Sequence, residues 1–200
     1  MNQELLSIEI PATVGLGGGK LIFYSDSVEG KGIKLLYNNL RSISYSHTKT
    51  SVNFIPTYTT YTYALKSQAE KISYTFQAPL LIGNKHCKEV FSKLIYISKQ
   101  IIEPLLINKY VASIFQGNEP INIGGVEFSR KGMLIKNLMR DDVEILWSDK
   151  IYTPEIHEGT VIIYKEINGE GKIILNVVLS SDNAPIIPEL VNACFYESRK

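Results

Sequence analysis

The order of apolar and polar residues indicates β-strands over the first part of the chain. The predicted strands are 21–24, 33–45, 54–65 and 72–76, which are rich in β-branched and aromatic residues. In the third of these strands, side chains alternate between two faces. One face carries Tyr58, Thr60 and Thr62, and the other carries Thr59, Tyr61 and Tyr63.

The period then changes to that of a helix. After Lys85, apolar residues recur at spacings of four, three and four: Val90, Leu94, Ile97 and Ile101. This stripe predicts an amphipathic helix with an apolar face wide enough to pack on a sheet. Asn84 is a candidate cap, and Pro104 predicts a kink or a new helix start. A second helical piece is expected to reach Gln116 and to end at Gly117–Asn118.

The two-residue period returns after residue 120. The predicted strands are 126–128, 133–135, 143–147, 160–164 and 173–179. Residues 168–171, Asn-Gly-Glu-Gly, predict a hairpin between the last two strands. A final helix is expected to follow Ser181–Asn183 and to reach Phe195.

The two halves of the chain show an internal repeat. Residues 33–39 align without gaps to residues 143–149, so that the aromatic residues Tyr37 and Trp147 coincide. Residues 21–23 parallel 126–128, and residues 72–76 parallel 173–179. The alternative is a chance similarity of two β-rich stretches. The first copy is longer between its aromatic residue and its helix, which predicts longer strands or an extra loop in the Thr/Tyr-rich segment.

This arrangement resembles the pleckstrin-homology (PH) architecture, a bent antiparallel sheet of about seven strands closed by a C-terminal helix. The similarity rests on residues 128–132 (Phe-Ser-Arg-Lys-Gly), 145–149 (Ile-Leu-Trp-Ser-Asp), Gly159 and 173–195. The chain looks like two such units in tandem, similar to small bacterial PH-like proteins of unknown function. The resemblance implies a binding or scaffolding module.

The predicted fold class is therefore α+β and mostly antiparallel β, with two PH-like units, each a bent β-sheet or barrel capped by a C-terminal helix. Residues 1–20 form an N-terminal segment with a Gly-rich linker, 21–117 a first unit with a long kinked helix, and 118–200 a second unit. Residues 1–117 hold 12 basic and 7 acidic side chains, and residues 118–200 hold 9 and 13. Opposite charge favours packing of the modules or head-to-tail self-association.

The near balance of 21 Lys and Arg against 20 Asp and Glu argues against a nucleic-acid-binding protein. The two cysteines form no disulfide framework and no CxxC motif, which predicts free thiols in a reducing compartment. The first ten residues lack the basic and apolar regions of a signal peptide. No run reaches the roughly 18 apolar residues of a membrane span. We therefore expect a cytoplasmic protein that is not integral to a membrane.

Three short motifs partly resemble sites of chemistry. Gly15–Lys20 lacks the Ser or Thr and the helix that follow a phosphate-binding loop. His157–Glu158 lacks the second His of a zinc motif, and no pair of histidines has ligand spacing. His86–Cys87 at a helix start could have a lowered thiol pKa, but no acid–base partner is near in sequence. No catalytic residue, cofactor or metal ligand is predicted.

Two surfaces are candidates for binding. The first is a cluster of cations in the second half that could contact an anionic lipid headgroup: Arg130, Lys131, Lys136 and Arg140. Their spacing differs from that of phosphoinositide-binding PH domains, and the alternative is a solvated strand face.

The second surface is formed by tyrosines. The tyrosines Tyr58, Tyr61 and Tyr63 could form a protein interface, with cross-strand packing as the alternative.

Three functions follow in order of preference. The first is a non-catalytic binding or scaffolding protein that contacts a protein partner, or itself, through a sheet edge or the Tyr/Thr-rich surface. The second is a membrane-surface adaptor that recognises anionic headgroups. The third is an enzyme of unidentified class.

Overall fold

The fold is α+β, with mostly antiparallel strands, and this confirms the predicted class. The computed structural model describes residues 3–12, 18–52, 55–79, 84–136, 142–149, 154–167 and 170–200. Among these residues, hydrogen bonds join the strands into four separate antiparallel sheets, and no barrel closes.

The first seven strands form a four-stranded sheet followed by a three-stranded sheet. The first sheet contains β1 (Glu4–Ile10), β2 (Gly19–Tyr24), β3 (Ser27–Gly30) and β4 (Ile33–Leu36) in sequential order. The second contains β5 (Ser42–Val52), β6 (Ile55–Lys66) and β7 (Lys71–Pro79). A continuous helical stretch follows, made of α1 (Asn84–Ile97), a π-helical turn (Ser98–Ile102) and α2 (Glu103–Phe115).

The next seven strands repeat this order. A four-stranded sheet contains β8 (Ile121–Ile123), β9 (Val126–Phe128), β10 (Gly132–Ile135) and β11 (Val143–Leu146). A three-stranded sheet contains β12 (Glu155–His157), β13 (Thr160–Ile167) and β14 (Glu170–Val178). Strands β13 and β14 pair antiparallel, as the predicted hairpin requires, although its residues 168–169 lie outside the described residues. The last helix, α3 (Ile187–Glu197), follows a 3-10 turn at Ala184–Ile186.

The chain divides into two compact units, Met1–Pro104 and Leu105–Lys200. This division falls inside α2, because the helix that ends the first set of strands continues into the second unit. The predicted boundary at residue 117 lies at the end of the same helix and stays a prediction.

The two four-stranded sheets share one strand register. The matched segments pair with the third strand in the same register in both sheets: 21–23 and 33–36 pair with β3 as 126–128 and 143–146 pair with β10. Corresponding pairs of buried side chains are Phe23–Val28 and Val28–Leu35 in the first sheet, and Phe128–Met133 and Met133–Ile145 in the second. If the similarity of the seven aligned residues were a coincidence, there would be no reason for three strands to pair in the same register in both sheets. The repeat is therefore structural.

An aromatic residue anchors the same point in both sheets. Tyr37 and Trp147 directly follow the fourth strand, and both side chains are buried. The Tyr37 hydroxyl donates a hydrogen bond to the carbonyl of Tyr24 at 2.9 Å. The Trp147 Nε1–H donates to the carbonyl of Ser129 at 3.0 Å. These carbonyls occupy equivalent positions, directly after the matched segments 21–23 and 126–128, so one interaction is made by two different side chains.

The first unit has the longer hairpin. Strands β5 and β6 contain 11 and 12 residues, whereas β12 and β13 contain 3 and 8. This confirms the prediction of longer strands in the first copy. Along β6, the face of Thr59, Tyr61 and Tyr63 is buried, and the opposite face, which includes Tyr58, is half-buried.

Removing the polar atom of the aromatic anchor is expected to destabilise its unit. Tyr37→Phe should lower the free energy of unfolding by about 1 kcal/mol, since the Tyr24 carbonyl loses its donor. Trp147→Phe should cost about 2 kcal/mol, because it also leaves a cavity. Denaturant titrations measure both. Tyr196→Phe is the control, since that side chain is 68% exposed. Equal stability of the Tyr37 and Tyr196 variants would contradict the anchor.

Candidate functional site

Helix α1 is positioned by aromatic packing in the first unit. Its apolar stripe is buried as predicted at Val90 and Leu94. The ring of Phe91 lies 5.0 Å from that of Tyr61, and further rings surround it at 6.2 to 6.5 Å between centroids: Tyr45, His47 and Phe76. The helix is therefore held against the three-stranded sheet by edge and tilted ring contacts, which add to the burial of apolar area.

The helical stretch widens into a π-helical turn before Pro104, and α2 begins at Glu103, next to the predicted helix start. The backbone N–H of Glu103 donates to the carbonyl of Ser98, five residues earlier. Proline lacks an N–H, and its ring clashes with the carbonyl four residues before it in a regular α-helix. The wider turn immediately before Pro104 is the local adjustment, and α2 continues from it.

Two buried hydrogen bonds tie this turn to the sheet. The Tyr63 hydroxyl donates to Ser98 Oγ at 2.8 Å, because Ser98 Oγ itself donates to the carbonyl of Leu94 at 2.8 Å. The Tyr45 hydroxyl donates to Glu103 Oε1 at 2.9 Å. Burial raises the pKa of both tyrosines well above the usual value, and the carboxylate of Glu103 adds to the rise in the pKa of Tyr45. Both tyrosines are therefore neutral donors that fix the helix.

One groove lies between strand β1 and helix α1, and we call it the β1–α1 groove. Its volume is about 600 Å³, and its walls are largely apolar: Leu6 and Ile8 on the strand, and Val90, Tyr96 and Ile97 on the helix. Leu6 and Tyr96 are 37% and 64% exposed. Its polar lining includes Glu9, His86 and Lys93. Strand β1 is at the end of the sheet order, so one edge of its backbone faces away from β2.

A second groove lies on the other side of α1, and we call it the β5–α1 groove. Its volume is about 420 Å³. The aromatic side chains of Tyr61 and Phe91 line it together with three groups that can carry positive charge: His47, Lys49 and Lys88. This groove differs from the first in having three basic side chains and no carboxylate among the described residues that line it.

The structure separates the three tyrosines proposed as an interface. Tyr63 is fully buried and Tyr61 is 4% exposed, so both belong to the core, as the cross-strand alternative has it. Only Tyr58 lies on the half-buried face. The strand alternation was predicted correctly, but it places Tyr58 on the opposite face from the other two. A surface formed by all three side chains is not present.

The four cations proposed for a headgroup site differ in their surroundings. Arg130 and Lys131 are exposed in the turn between β9 and β10. Lys136 Nζ lies 3.3 Å from Glu127 Oε2, which is a local ion pair of the kind that the alternative predicts. Arg140 is outside the described residues. The headgroup site stays a prediction.

The glycine-rich and histidine motifs have ordinary structural places. Gly19 and Lys20 begin strand β2, whereas residues 15–17 lie outside the described residues. His157 and Glu158 are exposed, with 3.9 Å between imidazole Nε2 and carboxylate Oε1. Among the described residues, no group of three His, Cys, Asp or Glu could hold a metal ion.

The cysteine motif is buried rather than activated. The suggested lowering of the Cys87 thiol pKa is wrong, because burial raises that pKa. Burial likewise raises the pKa of Cys194 to about 12. Both thiols are free and buried, which is the state that the sequence predicts for them.

The sequence pattern predicts neither groove. The available signals are the apolar residues Leu5, Leu6, Ile8 and Ile10 near the N-terminus and the lysines that lie off the apolar stripe of α1. Neither signal shows that β1 and α1 meet, since they are about 80 residues apart. The grooves depend on that long-range contact.

Comparison with protein-family models and with curated proteins gives no match for this chain. Within the described part of the chain, none of the helices has the length and apolarity needed to cross a membrane.

Alkaline pH is expected to weaken the first unit. Burial raises the pKa of Tyr37 to about 12, and the pKa values of Tyr45 and Tyr63 are raised as well, whereas an unfolded tyrosine titrates near pH 10. The stabilisation is therefore complete below about pH 10 and is lost as the pH rises toward 12. Denaturant titrations between pH 8 and 11.5 measure this decline.

Tyr63→Phe provides the comparison for this experiment. The variant lacks one titrating group, so its stability should fall less steeply with pH than that of the wild type. The two proteins are compared by the slope of stability against pH, because the lost hydrogen bond lowers the stability of the variant at every pH and does not change that slope. Identical slopes would show that the Tyr63 hydroxyl is not protected from ionisation by the fold.

Proposed function

We propose that this chain is a non-catalytic binding protein of two PH-like units, which holds an extended segment of a partner protein in the β1–α1 groove. The repeated order of seven antiparallel strands followed by a helix supports the PH-like assignment, because the resemblance implies about seven antiparallel strands closed by a C-terminal helix. The assignment to binding rests on the groove itself rather than on fold analogy.

The observation that carries this proposal is an apolar groove beside the edge of a sheet. An edge strand offers backbone N–H and C=O groups that an added strand can pair with, and pockets beside the edge select the side chains of that strand. Strand β1 provides such an edge, and Leu6 and Tyr96 leave apolar surface exposed next to it. A partner segment in extended conformation can pair with the edge of β1 and also cover the exposed apolar side chains beside it.

The chemistry of the groove indicates the composition of the partner segment. Alternate residues of an added strand point to the same side, so apolar residues at every second position would fill the groove. The exposed side of α1 is mainly basic: Lys85, Lys88 and Lys93, with Glu89 as the acidic exception. Acidic residues that flank the apolar positions would be attracted to this surface, mainly through faster association.

The proposal includes no catalytic residue. The lining of the groove is largely apolar, and burial raises the pKa of both thiols, which disfavours the nucleophilic thiolate. The edge, the apolar walls and the basic helix are features of recognition rather than of bond cleavage.

Selection from a random peptide display library tests the proposal, because the library samples many segment compositions at once. The immobilised full chain is expected to enrich peptides with alternating apolar residues and flanking acidic residues. Leu6→Lys places a charge in the groove and should reduce the affinity of the enriched peptides about tenfold or more, as measured by fluorescence anisotropy.

Leu36→Lys is the matched control, because Leu36 is a comparably exposed leucine, at 44%, on β4 at the other end of the same sheet. It should bind the enriched peptides like the wild type. Absence of enrichment, or equal loss of binding in both variants, would contradict the proposal. If the chain itself is the partner, analytical ultracentrifugation should show self-association that Leu6→Lys abolishes and Leu36→Lys retains.

A further inference from the structure

The β5–α1 groove combines an aromatic lining with a cluster of basic groups. Tyr61 and Phe91 line it with their rings 5.0 Å apart, and the imidazole of His47 stacks on Tyr61 at 6.2 Å with an interplanar angle of 30°. Lys49 enters from strand β5, and Lys88 enters from the facing helix α1. Three basic side chains from two elements therefore converge on an aromatic surface.

The side chains of Lys49 and Lys88 are exposed, and neither forms an ion pair with another described residue. Because both lysines line the groove, from strand β5 and from helix α1, an anionic group in the groove would form charge-assisted hydrogen bonds with their ammonium groups.

We propose that the β5–α1 groove binds a small planar aromatic carboxylate or a similarly flat aromatic anion. The ring of the ligand lies over the edges of Tyr61 and Phe91, which are 4% and 5% exposed at the floor of the groove, and its anionic group lies among His47, Lys49 and Lys88. Offset or edge contacts between aromatic rings stabilise such a complex beyond the burial of area. A volume of about 420 Å³ is within the range of small-molecule sites and accommodates one or two fused rings.

This inference goes beyond the proposed function, since it concerns a different groove and a different class of ligand. The β1–α1 groove has no comparable set: its lining includes Lys93 and His86 but also Glu9, and its walls are mainly aliphatic. Lys49 and Lys88 do not line it. Failure of one proposal therefore leaves the other standing.

Isothermal titration calorimetry of the full chain with three probes tests the site. The probes are 2-naphthoate, its neutral amide 2-naphthamide, and cyclohexanecarboxylate. We expect 2-naphthoate to bind about tenfold more tightly than either of the others, because only it supplies both the ring and the charge. Its affinity should fall as salt is raised from 50 to 500 mM. Equal binding of the amide, equal binding of the aliphatic acid, or no binding of 2-naphthoate would overturn the proposal.

Charge-removing variants locate the site. The double variant Lys49→Gln and Lys88→Gln should lose about tenfold in affinity for 2-naphthoate, and it is expected to fold because both side chains are exposed. Lys99→Gln is the matched control, since Lys99 is exposed on the same continuous helical stretch but lines neither groove. Unchanged affinity in the double variant, or equal loss in the control, would overturn the assignment.

Discussion

The docking of helix α1 on the sheets of the first unit is the constraint on which both grooves depend. The helix is held by Phe91 among the aromatic rings and by the buried hydrogen bond between Tyr63 and Ser98. A buried hydroxyl that lacks a partner is costly, so these bonds specify the rotation of the helix more sharply than apolar packing alone. Because one helix forms a wall of each groove, its rotation sets the shape of both.

The second unit shows which parts of this arrangement belong to the fold and which to a site. It repeats the register of the four-stranded sheet and its aromatic anchor, with Trp147 in the place of Tyr37. It does not repeat the length of the β5–β6 hairpin. The common register is a requirement of packing, whereas the lengthened hairpin supplies Lys49 and Tyr61 to a groove.

Local pattern gave many of the elements but neither groove. It did not predict β1 or β3, and the predicted strand 33–45 is divided into β4 and β5 by a 3-10 turn at Tyr37–Asn39. The alternation of residues 58–63 gave the two faces of β6, and the spacing of Val90 and Leu94 gave the buried side of α1. Neither pattern shows which face of a strand is covered by a helix that is distant in sequence. For this reason Tyr61 is predicted to lie on a surface, whereas in the structure it lies in the core. The repeat alignment succeeded because register follows from the order of buried residues within adjacent strands. Leu6 could not be placed beside Tyr96, since that proximity arises only from tertiary packing.

The position of β1 at the beginning of the unit has a consequence for biosynthesis. A chain emerges from its N-terminus, so Leu6 and its neighbours are made about 80 residues before the helix that faces them. Until α1 is complete, the edge of β1 lacks the helix beside it and is open to pairing with other nascent strands. The same edge that would recognise a partner in the folded protein is thus open to incorrect strand pairing while the chain is being made.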